Sequence, residues 1–103
     1  MLHAHNVFFT LNDGSPAQAK KLVEDCYEYL EGHDGMLAFS AGTRAAGYER
    51  DVNDLQFQVS LHVLFADHAT HDAYQTTARH KEFIARNKAN WKTVRVFDSS
   101  IEK

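Results

Sequence analysis

The most restrictive stretch of this chain runs from Leu55 to Phe65, where side chains of two kinds alternate. Leu55, Phe57, Val59, Leu61, Val63 and Phe65 fall on one side of an extended backbone. Gln56, Gln58, Ser60, His62 and Leu64 fall on the other. Successive residues of a strand point to opposite faces of its sheet, so this pattern predicts a strand with one dry face and one largely polar face. Such a strand needs partners on its edges and a layer over its dry side.

The rest of the chain supplies both. From Ala4 to Leu11 the same alternation places His5, Val7, Phe9 and Leu11 on one face, with Asn6, Phe8 and Thr10 opposite. Asn12-Asp13-Gly14 carries turn chemistry, and Ser15-Pro16 starts a helix: serine caps free N–H groups, and proline at the first position gives up a donor that had no partner. Ala19, Leu22, Val23, Cys26, Tyr27 and Leu30 then recur at intervals of three and four, one apolar stripe on a helix that Gly32 and Gly35 end. A second strand is expected from Met36 to Arg44, and a loop from Ala46 to Asp54. Asp67 can cap a second helical region, broken near Thr76-Thr77 and resumed with Phe83 and Ile84. Thr93 to Phe97 closes the pattern as a last strand, with Asp98 onward read as a tail. The order β-α-β-β-α-β is the split arrangement of ferredoxin-like α+β folds.

At 103 residues the chain has room for one domain, spanning 1–103, and its hydrophobic fraction of 44% is that of a globular protein. A net charge of −3 argues against a nucleic-acid partner, and no apolar run approaches the ~20 residues that span a bilayer. Met1-Leu2-His3-Ala4-His5 lacks a basic segment followed by an apolar one, so no signal peptide is expected. The single cysteine, Cys26, suits a reducing cytoplasm. Helices on one side of a four-stranded sheet leave its other face uncovered, here with Phe8 and Leu64 among Gln56, Gln58, Ser60 and His62. That composition predicts a homodimer that buries the face, with His62 a hydrogen-bonding group in its interior.

His5 with Val7-Phe8-Phe9, Leu61-His62-Val63-Leu64-Phe65-Ala66-Asp67, Tyr74, His80-Lys81-Glu82-Phe83-Ile84 and Val94-Arg95-Val96-Phe97-Asp98 together resemble the stress-responsive dimeric α/β-barrel (Dabb) family over nearly the whole chain. The resemblance implies two subunits whose sheets face each other as a dimeric α/β barrel. One enzymatic branch of that family is similar to plant polyketide cyclases such as olivetolic acid cyclase, where a pocket lies between sheet and helices and a tyrosine and a histidine act on a carbonyl chain. Tyr74 and His80 match those two positions and His5 a first-strand histidine, so the resemblance implies a pocket bordered by His5, Val7, Phe9, Val59, Tyr74 and His80. Two departures stand out. Val59 replaces a third-strand histidine of the cyclases, and Thr77-Ala78 stands where the family often has His-Pro.

The expected function is therefore small-molecule binding by a homodimer, the ligand hydrophobic or carbonyl-containing, with a possible role in stress tolerance. The alternative is a cyclase-like lyase in which His80 takes a proton next to a carbonyl and Tyr74 orients or stabilises the developing oxyanion. A third reading, a haem- or oxygen-dependent monooxygenase, rests on Asn6 and Trp91, which resemble residues of another branch of the superfamily. No cofactor and no metal is expected. His68 and His71, three apart, can share a helical face, but no third ligand has an evident spacing, and both read as solvated surface groups.

Overall fold

The computed structural model describes residues 1–102. Strand β1 (Leu2–Leu11) occupies the middle of the sheet, and its burial alternates residue by residue as the sequence requires. Helix α1 (Pro16–Asp25) begins on the Ser15 hydroxyl, which accepts from the Gln18 amide, and continues through a π-helical turn to Leu30. Its stripe buries Ala19, Leu22, Cys26 and Leu30, while Tyr27 turns out to 41% exposure. Strand β2 (Met36–Thr43) follows, then β3 (Val59–Phe65). Helix α2 (His68–Tyr74) starts on the Asp67 carboxylate and α3 (Ala78–Asn87) on the Thr77 hydroxyl, with the break between them at 75–77. Strand β4 (Trp91–Ile101) ends the chain's regular structure.

The four strands lie in the order β2-β3-β1-β4 with every neighbouring pair antiparallel. Val7, Phe9, Leu11, Val59, Leu61, Val63 and Phe65 cover the side of the sheet that faces the helices, packed on Leu22, Cys26, Leu30, Tyr74 and Phe83. Burying each of the large aliphatic or aromatic members contributes about 1.5–3 kcal/mol, so this layer supplies most of the driving force for folding.

Three expectations need correction. The barrel is not formed: β2 and β4 are the two edges of an open sheet and do not meet. Four strands are too few to curl back on themselves at the tilt a barrel requires. The best-patterned strand also starts later than its alternation implies, at Val59: Gln58 still bonds Phe9 and Arg44 through its backbone, but bends at Gln56 and Gln58 turn the chain out of the regular ladder. Asp98 is no tail residue. It sits in β4 directly opposite His5, since pairing with the ten-residue β1 carries β4 on to Ile101.

Gly35 fixes the place of α2. It adopts φ +81°, its carbonyl accepts from the Ala66 amide, and a Cβ built on it would stand 2.4 Å from Thr70 Cβ. Only glycine satisfies both the left-handed backbone and that close approach. No helix among the described residues is long and apolar enough to cross a membrane.

Candidate functional site

Alternation along β1 sends His3, His5, Val7, Phe9 and Leu11 towards the helices. A cavity of about 170 Å³ opens beside the middle of this row, between the sheet and α2–α3. His5, Val7 and Phe9 border it from the sheet, Tyr74, His80 and Phe83 from the helices, and Trp91, Val94 and Val96 from β4. Val59 does not line it; the residue is fully buried in the core, and β3 reaches the cavity through Leu61 instead.

Tyr74 is the hinge of the arrangement. As the last residue of α2 it is 2% exposed, with its ring edge-on to His80 at 4.8 Å and to His5 at 6.1 Å. Its hydroxyl is buried and bonds to no protein group, and the same holds for His80 Nδ1 and Trp91 Nε1. All three residues line the cavity. Buried polar groups are nearly always paired, so these three atoms concentrate unmet hydrogen-bonding capacity on one lining. Burial holds the Tyr74 hydroxyl protonated well above its usual range. His80, in the first turn of α3, is pushed down to about 4, chiefly by burial and further by the neighbouring His5, His33 and His71 rings. Both groups are therefore neutral hydrogen-bonding partners at pH 7.

His5 belongs to a second assembly at the end of the cavity. Its Nδ1 donates to Asp98 Oδ1 at 2.7 Å, and His3 Nε2 reaches the same oxygen at 2.8 Å. His71, from α2, places Nε2 3.2 Å from His5 Nδ1 and 3.6 Å from Asp98 Oδ1. His3, His5 and His71 are 4–8% exposed. Burial lowers the His5 pKa against the opposing pull of Asp98. For Asp98 burial acts upward, but the hydrogen bonds from His3 and His5 together with the nearby His5 and His71 rings hold the carboxyl below its ordinary value. The donor atoms of His3, His5, His71 and Asp98 all lie within 4.8 Å of one another.

His71 is thus not a solvated surface group; α2 turns it inward onto β1, while His68 stays exposed. His3 and Asp98 carried no functional expectation. The signal for His3 was its two-residue spacing from His5, which puts both on one strand face. Asp98 is legible only once β4 pairs with β1. His33, also unremarked in the sequence, donates from Nδ1 to the Leu30 carbonyl, and its Nε2 accepts from the Thr77 hydroxyl beside Tyr74. On the opposite face of the sheet His62 bonds Asn6 and Ser60. Asn6 and Trp91 therefore lie on opposite faces, and no shared oxygenase pocket forms from them.

An open ferredoxin-like sheet with a polar-lipped cavity under its helices defines the class of this protein. Its chain belongs to the Dabb family, described as the stress responsive A/B barrel domain, whose model matches residues 4–101. No curated protein matches the chain. Among solved structures it is similar to a Dabb family protein with a ferredoxin-like fold from Mesorhizobium loti, with 21% identity, TM-score 0.78 and coverage of 99% of this chain and 98% of that one. A dimeric ferredoxin-like protein of unknown function from Thermobifida fusca has 13% identity and TM-score 0.79, over 98% of this chain and 92% of that one. The hydroxynitrile lyase of Passiflora edulis has 17% identity and TM-score 0.77, over 99% and 94%. These likenesses are of fold.

Proposed function

We propose that the protein binds a small, mainly apolar molecule with one carbonyl group in the cavity between the sheet and α2–α3. The observation that carries this reading is the set of unpartnered polar atoms, Tyr74 Oη, His80 Nδ1 and Trp91 Nε1, on residues lining an otherwise largely apolar space. A protonated phenol donates to a carbonyl oxygen, and a neutral imidazole or indole adds a second contact. The space of about 170 Å³ is large enough for a single ring, since a cavity of about 150 Å³ holds benzene.

The chain's single tryptophan gives a direct test, because Trp91 contributes one indole N–H resonance from the cavity wall. Titration with benzaldehyde and with styrene, which replaces the carbonyl by a vinyl group, should move that resonance in both cases. Benzaldehyde should bind about 5–10-fold tighter, the worth of one hydrogen bond, and Tyr74→Phe should remove the difference. Equal affinities in the native protein would refute the carbonyl assignment.

A cyclase-like lyase with His80 as base remains the alternative, supported by the placing of His80 and Tyr74 on one cavity and by the fold shared with a hydroxynitrile lyase. A base held near 4 is weak for proton abstraction at neutral pH, which favours binding over turnover. Any substrate-dependent rate that survives His80→Ala would remove His80 from the role of base.

The same proposal includes a homodimer formed through the uncovered sheet face. Phe8, His62 and Phe97 cluster there, with Phe97 51% exposed, and the Thermobifida fusca relative in fold is described as dimeric. Light scattering should give twice the chain mass, and Phe97→Glu should halve it. The fully buried Cys26, its thiol pushed up to about 12 by burial and the nearby Asp25, stays reduced and inert, in keeping with a cytoplasmic location.

A further inference from the structure

We propose that His3, His5, His71 and Asp98 form a binding site for a divalent transition-metal ion of the zinc type. Three imidazole nitrogens and one carboxylate oxygen converge from three elements, β1, α2 and β4, and their donor atoms lie within 4.8 Å of one another. That donor set suits borderline ions such as Zn²⁺ and Co²⁺ and not the hard ions Ca²⁺ or Mg²⁺, which take oxygen ligands.

The separations fit as well. A four-coordinate zinc ion with metal–nitrogen bonds of about 2.0–2.1 Å sets neighbouring donor atoms roughly 3.3 Å apart. Four pairs within the cluster stand at 2.7, 2.8, 3.2 and 3.6 Å. Side-chain rotations that widen the shorter pairs must also close the remaining two, since the cluster spans up to 4.8 Å. They also tilt apart the His3 and His71 rings, now stacked at 3.8 Å, so that both lone pairs meet one ion.

An outer layer is already in place. His71 Nδ1 donates to Asp72 Oδ1 at 3.1 Å, which leaves Nε2 without a proton and facing the cluster, where a metal ion would replace the Gln75 amide that now lies 3.1 Å from it. His3 Nδ1 lies 2.7 Å from His68 Nδ1, and His68 Nε2 lies 3.0 Å from Ser100 Oγ. Protons on His3 Nδ1 and His68 Nε2 would run this chain outward and free His3 Nε2 as a ligand. Metal-binding histidines characteristically give their second nitrogen to a carboxylate or another acceptor in this way. Charge favours the same conclusion: the Asp98 carboxylate brings to the cluster a negative charge that a cation offsets. The site stands apart from the cavity's guest, although His5 touches both.

The test is a titration of the metal-stripped, full-length protein with Zn²⁺ against a chromophoric chelator. One ion per chain is expected. His71→Ala and Asp98→Ala should each weaken binding at least 100-fold, His68→Ala about 10-fold, and His33→Ala not at all. Long-range ¹H–¹⁵N spectra of the native protein keep the outcome independent of whether a variant folds. Zn²⁺ should shift His3, His5 and His71 and move the His68 proton from Nδ1 to Nε2, leaving His33 and His62 unchanged. Affinity indifferent to His71→Ala, or shifts confined to His33, His62 or His80, would overturn the proposal.

Discussion

The two ends of the inward face of β1 are built from the same alternation and do opposite work. At one end Phe9 packs against Phe83 and Trp91, with ring centres 6.2 and 5.1 Å away, and Leu11 is equally buried. At the other end, on the same face and only a few residues earlier, His3 and His5 are buried just as deeply but within a web of hydrogen bonds to Asp98, His68 and His71. The apolar end is stabilised by area removed from water; the histidine end is stabilised only while each nitrogen keeps a partner. The cavity lies between them, and its mixed lining follows from that position. Depth of burial alone therefore says little about what a buried row is for.

The largest expected effect is at the apolar end. Phe9→Ala should cost about 3–5 kcal/mol in urea unfolding, the usual loss for a buried phenylalanine. A loss below about 1 kcal/mol would mean that this end is not the packed one, and the comparison would fail.

Gly35→Ala strikes the histidine end from behind. A methyl group against Thr70, on a backbone at φ +81°, forces α2 away from the sheet and should cost on the order of 2–4 kcal/mol. Because Thr70 neighbours His71, the substitution should also weaken zinc binding while leaving the Trp91 indole resonance near its native position. Equal disturbance of both would show that the two ends are one mechanical unit.

Acid should act through the cavity wall. An unfolded His80 takes up a proton near its ordinary 6.5, whereas the folded ring resists until about 4. Between those values the unfolded state binds more protons, so stability falls as pH drops from 6.5 towards 4 and is untouched by this group above that window. Allowing for solvent screening of the partly buried ring, the loss is on the order of 1–2 kcal/mol. His80→Gln should shrink the difference in urea midpoint between pH 7 and pH 4.5, and an undiminished difference would assign the acid sensitivity elsewhere.

The smallest effect is the most discriminating. Tyr74→Phe removes a hydroxyl that bonds to no protein group, so stability should stay level or rise by about 1 kcal/mol, where a paired buried tyrosine would lose that much. A clear loss on thermal unfolding would show that the hydroxyl is satisfied and would weaken the case for a guest in the cavity.

How far local chemistry dictates the structure differs by element. The β1 alternation, the Ser15-Pro16 helix start, the Asp67 cap and the break at 75–77 all rest on neighbours in the chain, and each appears where its local chemistry placed it. The reach of β3 and β4 did not. Bends at Gln56 and Gln58 truncated one at Val59, although β1 runs on beside them, and pairing with the long β1 prolonged the other past Asp98. Tyr74, His80 and His5 carried the cavity in the sequence through the family resemblance, while Val59 proved to be core. The fate of His71 was illegible because one helical turn leaves both a solvent side and a sheet side open to it.

The order of elements, the face each strand turns to the helices and the residues that start α1 and α2 were written in the chain, because period and capping act over a few neighbouring bonds. Long-range packing settled the rest: the sheet stays open, α2 turns His71 inward, and Asp98 reaches His3 and His5 from the opposite end of the chain. The Asp98 contacts depend on the pairing of β1 with β4, which joins residues from opposite ends of the chain, as in Leu2 with Ile101 and His5 with Asp98.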